Sequence, residues 1–278
     1  MAALSLTQIY LYPVKSLGGI SVQHWPVDGK GLLYDRKWML VDENNRFLSQ
    51  RRLPNMALIK TRISADELIL STPEQQQFAL PLQPDAGDPL EVDIWHDRCL
   101  ARAVSREADR WLTDFLDAPC RLVYQPEDGV RRVDPKYAEP SDQTRFADGF
   151  PFLITSSASL HSLNEAMEHE LPMTRFRPNL VIGGCSAYAE DCWREIAING
   201  IHFRLPKPCS RCNVPAIDQD TAETGKEPLL TLKHLRRWNN QIYFGQNALH
   251  DGPGELTVGD SMQIISTGAR QPPLPAIG

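Results

Sequence analysis

The sequence predicts a mainly β protein with a few helices, an α+β chain of the barrel or sandwich kind. Three observations carry that prediction. Short β-prone runs recur at roughly ten-residue spacing over most of the chain. Clusters of Gly, Pro, Asn and Asp separate them. Helical periodicity, by contrast, is confined to a few segments.

Taken in order, residues 4–12 (LSLTQIYLY) are β-prone, and residues 38–49 carry a hairpin pattern around Asn44-Asn45. Leu90, Val92 and Ile94 alternate ahead of a turn at His96-Asp97. Ser105 is the expected N-cap of a helix with Trp111, Leu112, Phe115 and Leu116 on one face, and this helix closes an amino-terminal unit. Residues 125–150 are rich in charge, Pro and Gly without a period, and read as a long surface connection or an ordered loop. Beyond them FPFLIT (150–155) reads as a buried strand and residues 156–170 as a helix with Leu160, Leu163 and Met167 inward.

The strand NLVIGG then leads to an insertion that ends in REIAINGIHFRL, the clearest hairpin of the chain. Asn199-Gly200 supplies the positive φ values a type I′ turn requires. Pro206 and Pro208 cannot donate to a ladder, so the second arm is expected to stop there and to leave Cys209 and Cys212 in a loop. A second hairpin, GELTVGDSMQII, and a loose Pro-rich tail follow. The expected division is residues 1–123, residues 124–268 and a tail at 269–278.

Composition narrows the function classes. Apolar residues at 42% and charged residues at 23% of 278 are those of a folded, soluble globular chain. A net charge of −6, with no basic run longer than two residues, argues against nucleic acid or an anionic membrane as partner. The amino terminus lacks a basic n-region and no apolar run approaches the ~20 residues of a membrane span. Six cysteines without an export signal suggest reduced thiols and a cytoplasmic location.

The stretch KPCSRCN (207–213) holds two of those cysteines. A zinc site needs a second ligand pair, and the six-residue gap between Cys185 and Cys192 is not a knuckle spacing. A thioredoxin-like dithiol would open a helix, which Pro215 and the β-rich context disfavour. Two inert thiols remain an open reading. Lys207 and Arg211, however, would stabilise a thiolate, the form in which cysteine binds a soft metal.

KPCSRC is followed by D-x-D-T, by GKEPL-x-TL and by FGQN (244–247). YPVKS (12–16), Asp35-Arg36, FADGFPFLI (146–154), SASL-x-x-LN (157–164), FRPNLVI (176–182), AEDCW (189–193) and V-G-D (258–260) accompany them. In this order they resemble the MOSC domain family of the mitochondrial amidoxime reducing component and its bacterial YcbX-type relatives, over nearly the whole chain. The resemblance implies a small β-barrel-like amino-terminal domain followed by a MOSC β-barrel domain. It also implies a molybdenum held by one molybdopterin and by one cysteine, here Cys212, with Cys209 as bystander. Pterin and phosphate contacts carry over onto Lys15, Ser16, Arg36, Arg177 and Asn179, and further onto Thr155, Ser156, Ser157, Ser210, Arg211 and Asn247. Lys, Arg and Ser are the side chains that hold a buried phosphate. Lys15 and Arg36 lie far from Cys212 in sequence, so the cofactor is expected between the two domains.

By the same resemblance the activity is reduction of N-hydroxylated compounds such as amidoximes, hydroxylamines and N-hydroxylated bases. Many bacterial relatives carry a carboxy-terminal ferredoxin domain, but no C-x₄-C-x₂-C run follows Ile265 here. Electrons are therefore expected from a separate ferredoxin-like or cytochrome b5-like protein with an NAD(P)H reductase. A non-catalytic molybdopterin carrier or sulfur-handling module is the alternative, since MOSC domains also end cofactor sulfurases. Plainer readings stand beside these: Asp148 as a turn residue, Asp191 and Trp193 as packing, His202 as structural, and Cys99, Cys120, Cys185 and Cys192 as ordinary thiols.

Overall fold

The computed structural model describes residues 3–84 and 87–274. It is mainly β, and its largest sheet has nine strands. Eight follow the order Met262–Thr267, Trp193–Ile198, Ile201–Ser210, Gln241–Asp251, Phe152–Ser156, Leu180–Gly183, Ser5–Leu11 and Ile20–Val22, with Arg237–Trp238 paired on Gln241–Asp251. All neighbours are antiparallel except Phe152–Ser156 beside Leu180–Gly183. The chain thus begins in the sheet that its second half builds. Leu6, Ile9 and Leu11 bury one face of the first strand against Phe152, Ile154, Leu180 and Phe203.

Three smaller sheets complete the fold. One runs Trp38–Val41, Arg121–Tyr124, Asp97–Ala103, Pro89–Ile94; another joins Lys60–Ser64, Glu67–Ser71 and Gln77–Pro81. The third sets Gly254–Thr257 and Gly31–Leu32 on either side of His24–Asp28. A second core forms between the first two, where Leu112 and Leu116 of helix α1 (Arg106–Leu116) meet Leu40, Leu68, Leu70 and Leu122. Burying each such side chain contributes about 1.5–3 kcal/mol. Ile63 packs against both cores and ties them together.

Several local signals hold. Ser105 caps α1 by accepting from the Ala108 amide at 3.1 Å. Asn199 and Gly200 have φ of 46° and 78°, as the hairpin turn requires. Trp193 and Asp191 are buried.

Four expectations are corrected. Pro206 and Pro208 do not stop the strand, which runs Ile201–Ser210. Its pairing with Trp193–Ile198 ends at Arg204, and the remainder pairs only with Gln241–Asp251, through irregular register after Arg204 and after Pro208. Prolines are tolerated there because one side of the strand is an edge and the ladder is bulged. Cys209 therefore lies in the strand and only Cys212 beyond it.

GELTVGDSMQII is not a hairpin: Gly254–Thr257 pairs with His24–Asp28, whereas Met262–Thr267 pairs with Trp193–Ile198. Helix α2 spans only Ser157–Glu165, because the Asn164 side chain donates to and accepts from the Leu171 backbone at 3.1 Å and turns the chain. The start of the Pro-rich tail is tethered, with the Gln271 amide on the Asp191 carbonyl at 2.9 Å and its carbonyl on Gln246 at 2.9 Å. Residues 275–278 of that tail lie outside the described residues.

Residues 125–150 are an ordered loop that runs over the surface for much of 127–141 and is anchored from beneath by buried side chains. Arg131 and Phe146 are buried, and Arg131 donates to the carbonyls of Arg145 and Ala147 and forks onto Asp97 at 3.0 and 2.8 Å.

Candidate cofactor site

A solvent-open cleft of about 780 Å³ lies where the loop after the first strand, the 146–150 turn, the Arg177 turn and the cysteine segment meet. Three of its side chains sit on left-handed backbone: Ser16 at φ 67°, Arg36 at 48° and Arg177 at 55°. Such conformations are unfavourable for non-glycine residues and collect at functional sites. Tertiary bonds hold them here. The Arg36 amide donates to the Tyr12 carbonyl at 2.7 Å, and the Tyr12 amide donates to Asp35 Oδ1 at 2.8 Å.

Arg36 and Arg177 are clamped around Tyr12. Their guanidinium groups lie 4.4 and 4.2 Å from the centre of its ring. Arg36 also pairs with Asp35 and donates to Asn179 Oδ1 at 3.1 Å, while Arg177 donates to the Leu17 carbonyl at 2.8 Å. Burial pulls the Arg177 guanidinium down to about 10 and pushes the Tyr12 phenol up. Glycine at position 19 makes room for the ring, since a Cβ there would come within 2.4 Å of it.

Across the cleft, Lys15 donates to the Phe146 carbonyl at 2.8 Å and to Asp148 Oδ1 at 2.5 Å. Burial pulls the Lys15 ammonium down to about 8, with Asp148 pulling the other way. Burial alone would raise the Asp148 carboxyl, but the Lys15 charge and hydrogen bond, with Arg51 and the Trp95 indole N–H, outweigh it and hold it well below the usual carboxylate range. The Asp148 side chain stays 61% accessible because it faces the cleft and the two grooves beside it.

The cysteine segment closes the cleft. Arg211 is fixed by its amide on the Ile242 carbonyl at 2.8 Å, and its guanidinium reaches the Phe176 carbonyl at 2.7 Å and Cys209 Sγ at 3.1 Å. Cys209 and Cys212 both line the cleft. Gly245 has φ 78°, and a Cβ there would meet the Ile154 carbonyl at 2.9 Å, so only glycine lets the strand that carries Asn247 approach its neighbour this closely.

Of the residues singled out from the sequence, Lys15, Ser16, Arg36, Arg177, Asn179, Arg211, Cys212 and Asn247 converge on this cleft. Four do not. Ser210 lines the neighbouring groove instead. Thr155 is fully buried against Met173, and Ser157 Oγ bonds the Ile182 carbonyl at 3.4 Å. Ser156 caps α2 through the Ser159 amide and bonds the buried Glu190 at 3.1 Å. These three hydroxyls serve the helix start and its neighbours, away from the cleft.

Asp148 and Arg51 are the functional candidates that sequence reasoning missed. Asp148 lay inside a quoted motif but read as a turn, and Arg51 carried no local signal beyond its pairing with Arg52.

The donor set fits an anion that carries a soft metal. Arg51 Nε, Arg177 Nη2 and Arg211 Nε are buried without a hydrogen-bond partner, and an anion with several acceptor oxygens would satisfy all three. Cys212 supplies a thiol at the cleft's edge. Among the described residues no three His, Cys, Asp or Glu side chains converge as a ligand set, which leaves the zinc knuckle without its second pair.

Residues 3–119 match the family described as the MOSC N-terminal beta barrel domain, and residues 141–263 match the MOSC domain. The mitochondrial amidoxime-reducing component 1 of Mus musculus is 33% identical over 279 residues, covering 94% of this chain and 82% of its own. Its Homo sapiens counterpart is also 33% identical, over 94% of this chain and 83% of its own. A molybdenum cofactor sulfurase of Danio rerio is 31% identical over 92% of this chain, which spans 33% of that protein. With both domains matched in this order and a third of its residues shared with the two amidoxime-reducing components across most of their length, the chain belongs to the MOSC-domain family that includes them.

Proposed function

We propose that this protein is a molybdenum-cofactor-dependent oxidoreductase that reduces N-hydroxylated compounds: amidoximes, hydroxylamines and N-hydroxylated bases. The observation that carries the proposal is the convergence of Cys212 with Lys15, Arg36, Arg177 and Arg211 on one cleft in which Arg51, Arg177 and Arg211 each keep one guanidinium nitrogen without a partner. The relatives named as amidoxime-reducing components support the reaction class.

In this reading Cys212 ligates molybdenum. Lys15, Ser16, Arg36, Arg177, Asn179, Arg211 and Asn247 hold the molybdopterin and its phosphate, and Arg51 joins them on the strength of its unpartnered nitrogen. When bound, the cofactor supplies two electrons and accepts or releases oxygen, so that R–NHOH with two electrons and two protons gives R–NH₂ and water. The chain supplies position and charge. Arg211 holds Cys209 through its sulfur contact at 3.1 Å, and the Tyr12 ring fixes both Arg36 and Arg177 in the cleft. Electrons come from a separate ferredoxin-like or cytochrome b5-like protein served by an NAD(P)H reductase. The location proposed is the cytoplasm, consistent with six cysteines that form no disulfide. Among the described residues no helix is long and apolar enough to cross a membrane.

The sulfurase relatives favour a second reading, a molybdopterin carrier or sulfur-handling module. Reduction of benzamidoxime by purified protein with an artificial electron donor separates the two. Turnover that scales with molybdenum content supports the reductase, and molybdenum-loaded protein without turnover supports the carrier.

A further inference from the structure

Beside the cofactor cleft runs an open groove of about 1270 Å³ that shares Arg51, Asp148, Arg211 and Cys212 with it. One wall is Trp95, at the tip of the hairpin formed by Pro89–Ile94 and Asp97–Ala103. Its backbone φ is 57°, a left-handed value that a bulky residue adopts only where its surroundings impose it. The two-residue turn between the paired Ile94 and Asp97 does so here, and three contacts fix the side chain. Arg51 stacks on the indole at 4.4 Å, Phe47 packs with ring centres 4.9 Å apart, and the indole N–H reaches Asp148 Oδ1 at 3.3 Å. Even so, 46% of the residue is accessible, so a rigid aromatic surface is presented to the groove.

Another part of the lining is basic. Lys233 projects from helix α3 (Leu229–Leu235) and Arg237 follows it, held by a 2.8 Å bond to Asn240 Oδ1. The charged groups of this groove are Arg51, Arg211, Lys233 and Arg237 against the single carboxylate of Asp148, itself paired with Lys15. This excess of positive charge stands on a chain whose net charge is −6. Lys233 and Arg237 are not used by the cofactor cleft.

We infer that the groove selects planar N-hydroxylated substrates bearing a phosphate, an N-hydroxylated nucleotide in preference to its free base or nucleoside. The base stacks on Trp95, its N–OH group lies toward Cys212, and the phosphate is met by Lys233 and Arg237. Base–aromatic stacking and cation–phosphate pairing are the two interactions that recognise a single nucleotide. The inference rests on the reductase reading and names the substrate class for that site.

The test uses cofactor-loaded protein of measured molybdenum content and one artificial electron donor. N4-hydroxycytidine and its 5′-monophosphate are compared, with benzamidoxime alongside. The expected result is a kcat/KM roughly tenfold higher for the monophosphate at low salt, falling as salt rises. In a Lys233→Glu, Arg237→Glu double variant the ratio between the two substrates falls to about one or below, each preparation serving as its own folding control. Isothermal titration of the same loaded protein gives a readout independent of turnover, with cytidine 5′-monophosphate binding more tightly than cytidine and Trp95→Ala weakening both. Equal kcat/KM for the pair, or a ratio that survives the double variant, overturns the inference. Reduction of benzamidoxime without phosphate preference defeats only this inference, whereas no reduction of any substrate defeats the reductase reading as well.

Discussion

Arg36 donates from Nη2 to the main-chain carbonyl of Arg177 over 3.3 Å, although 141 positions separate them in the chain. Two like charges meet at the bottom of the cleft because Asp35 neutralises the first and the Tyr12 ring offers its negative face to both. Arg177 keeps one guanidinium nitrogen without a partner.

Arg177→Ala is therefore expected to weaken cofactor retention by about ten- to a hundredfold, the equivalent of one charge-assisted hydrogen bond of about 1.5–3 kcal/mol. Molybdenum and pterin content after dialysis measures it. Arg177→Lys keeps the charge but loses the fork and should fall between. Full retention in the alanine variant would remove Arg177 from the cofactor site.

Cys212→Ala should lose molybdenum and activity together, whereas Cys209→Ala, one position inside the strand end and bonded to Arg211, should retain most of the metal. Elemental analysis of the freshly purified variants decides. Equal tolerance of the two changes contradicts the assignment of Cys212 as ligand.

Lys15 predicts a pH dependence of cofactor-free protein. Its pKa is lowered from 10.5 to about 8 by burial, so below about 8 it is charged in both folded and unfolded chains and its desolvation is a constant cost. Above about 8 the folded chain releases the proton while the unfolded chain still binds it, and stability rises with pH. The full effect has an upper bound of about 3 kcal/mol. Denaturant unfolding between pH 7 and about 9.5 should therefore show a smaller rise, or a steeper fall, for Lys15→Met than for the unmodified protein. Parallel curves for the two proteins would show that Lys15 is not desolvated.

Asp191 and Arg236, both 1% accessible, form a buried pair at 2.8 Å, and Gln246 also donates to Asp191 at 3.0 Å. Removing the carboxylate strands a buried guanidinium. Asp191→Ala should destabilise the fold by about 3–5 kcal/mol, read as a lower denaturant midpoint with an unchanged slope. Asp191→Asn, which keeps an acceptor, should lose less. A midpoint shift below that of an ordinary surface substitution would refute the role.

What could be read in the sequence was what a few neighbouring residues decide. Ser105 ahead of an amphipathic run, Asn199-Gly200 between two strands, and the order of the motifs from YPVKS to FGQN each state a local conformation or a family directly. Eight of the site residues named on that basis meet in one cleft.

What tertiary structure alone decided was partnership. Whether Pro206 and Pro208 end a strand depends on which of its sides has a neighbour, and no local signal carries that. The arms of GELTVGDSMQII part because His24–Asp28 and Trp193–Ile198 offer each a better edge than they offer one another. Ser156 looked like a cofactor donor until Glu190 claimed its hydroxyl, and Asp148 looked like a turn until Lys15, Arg51 and Trp95 arrived around it from more than fifty residues away. A backbone turn or a helix cap is settled within a few residues, whereas a hydrogen bond or a charge contact needs its partner in place, and only the folded chain brings that partner.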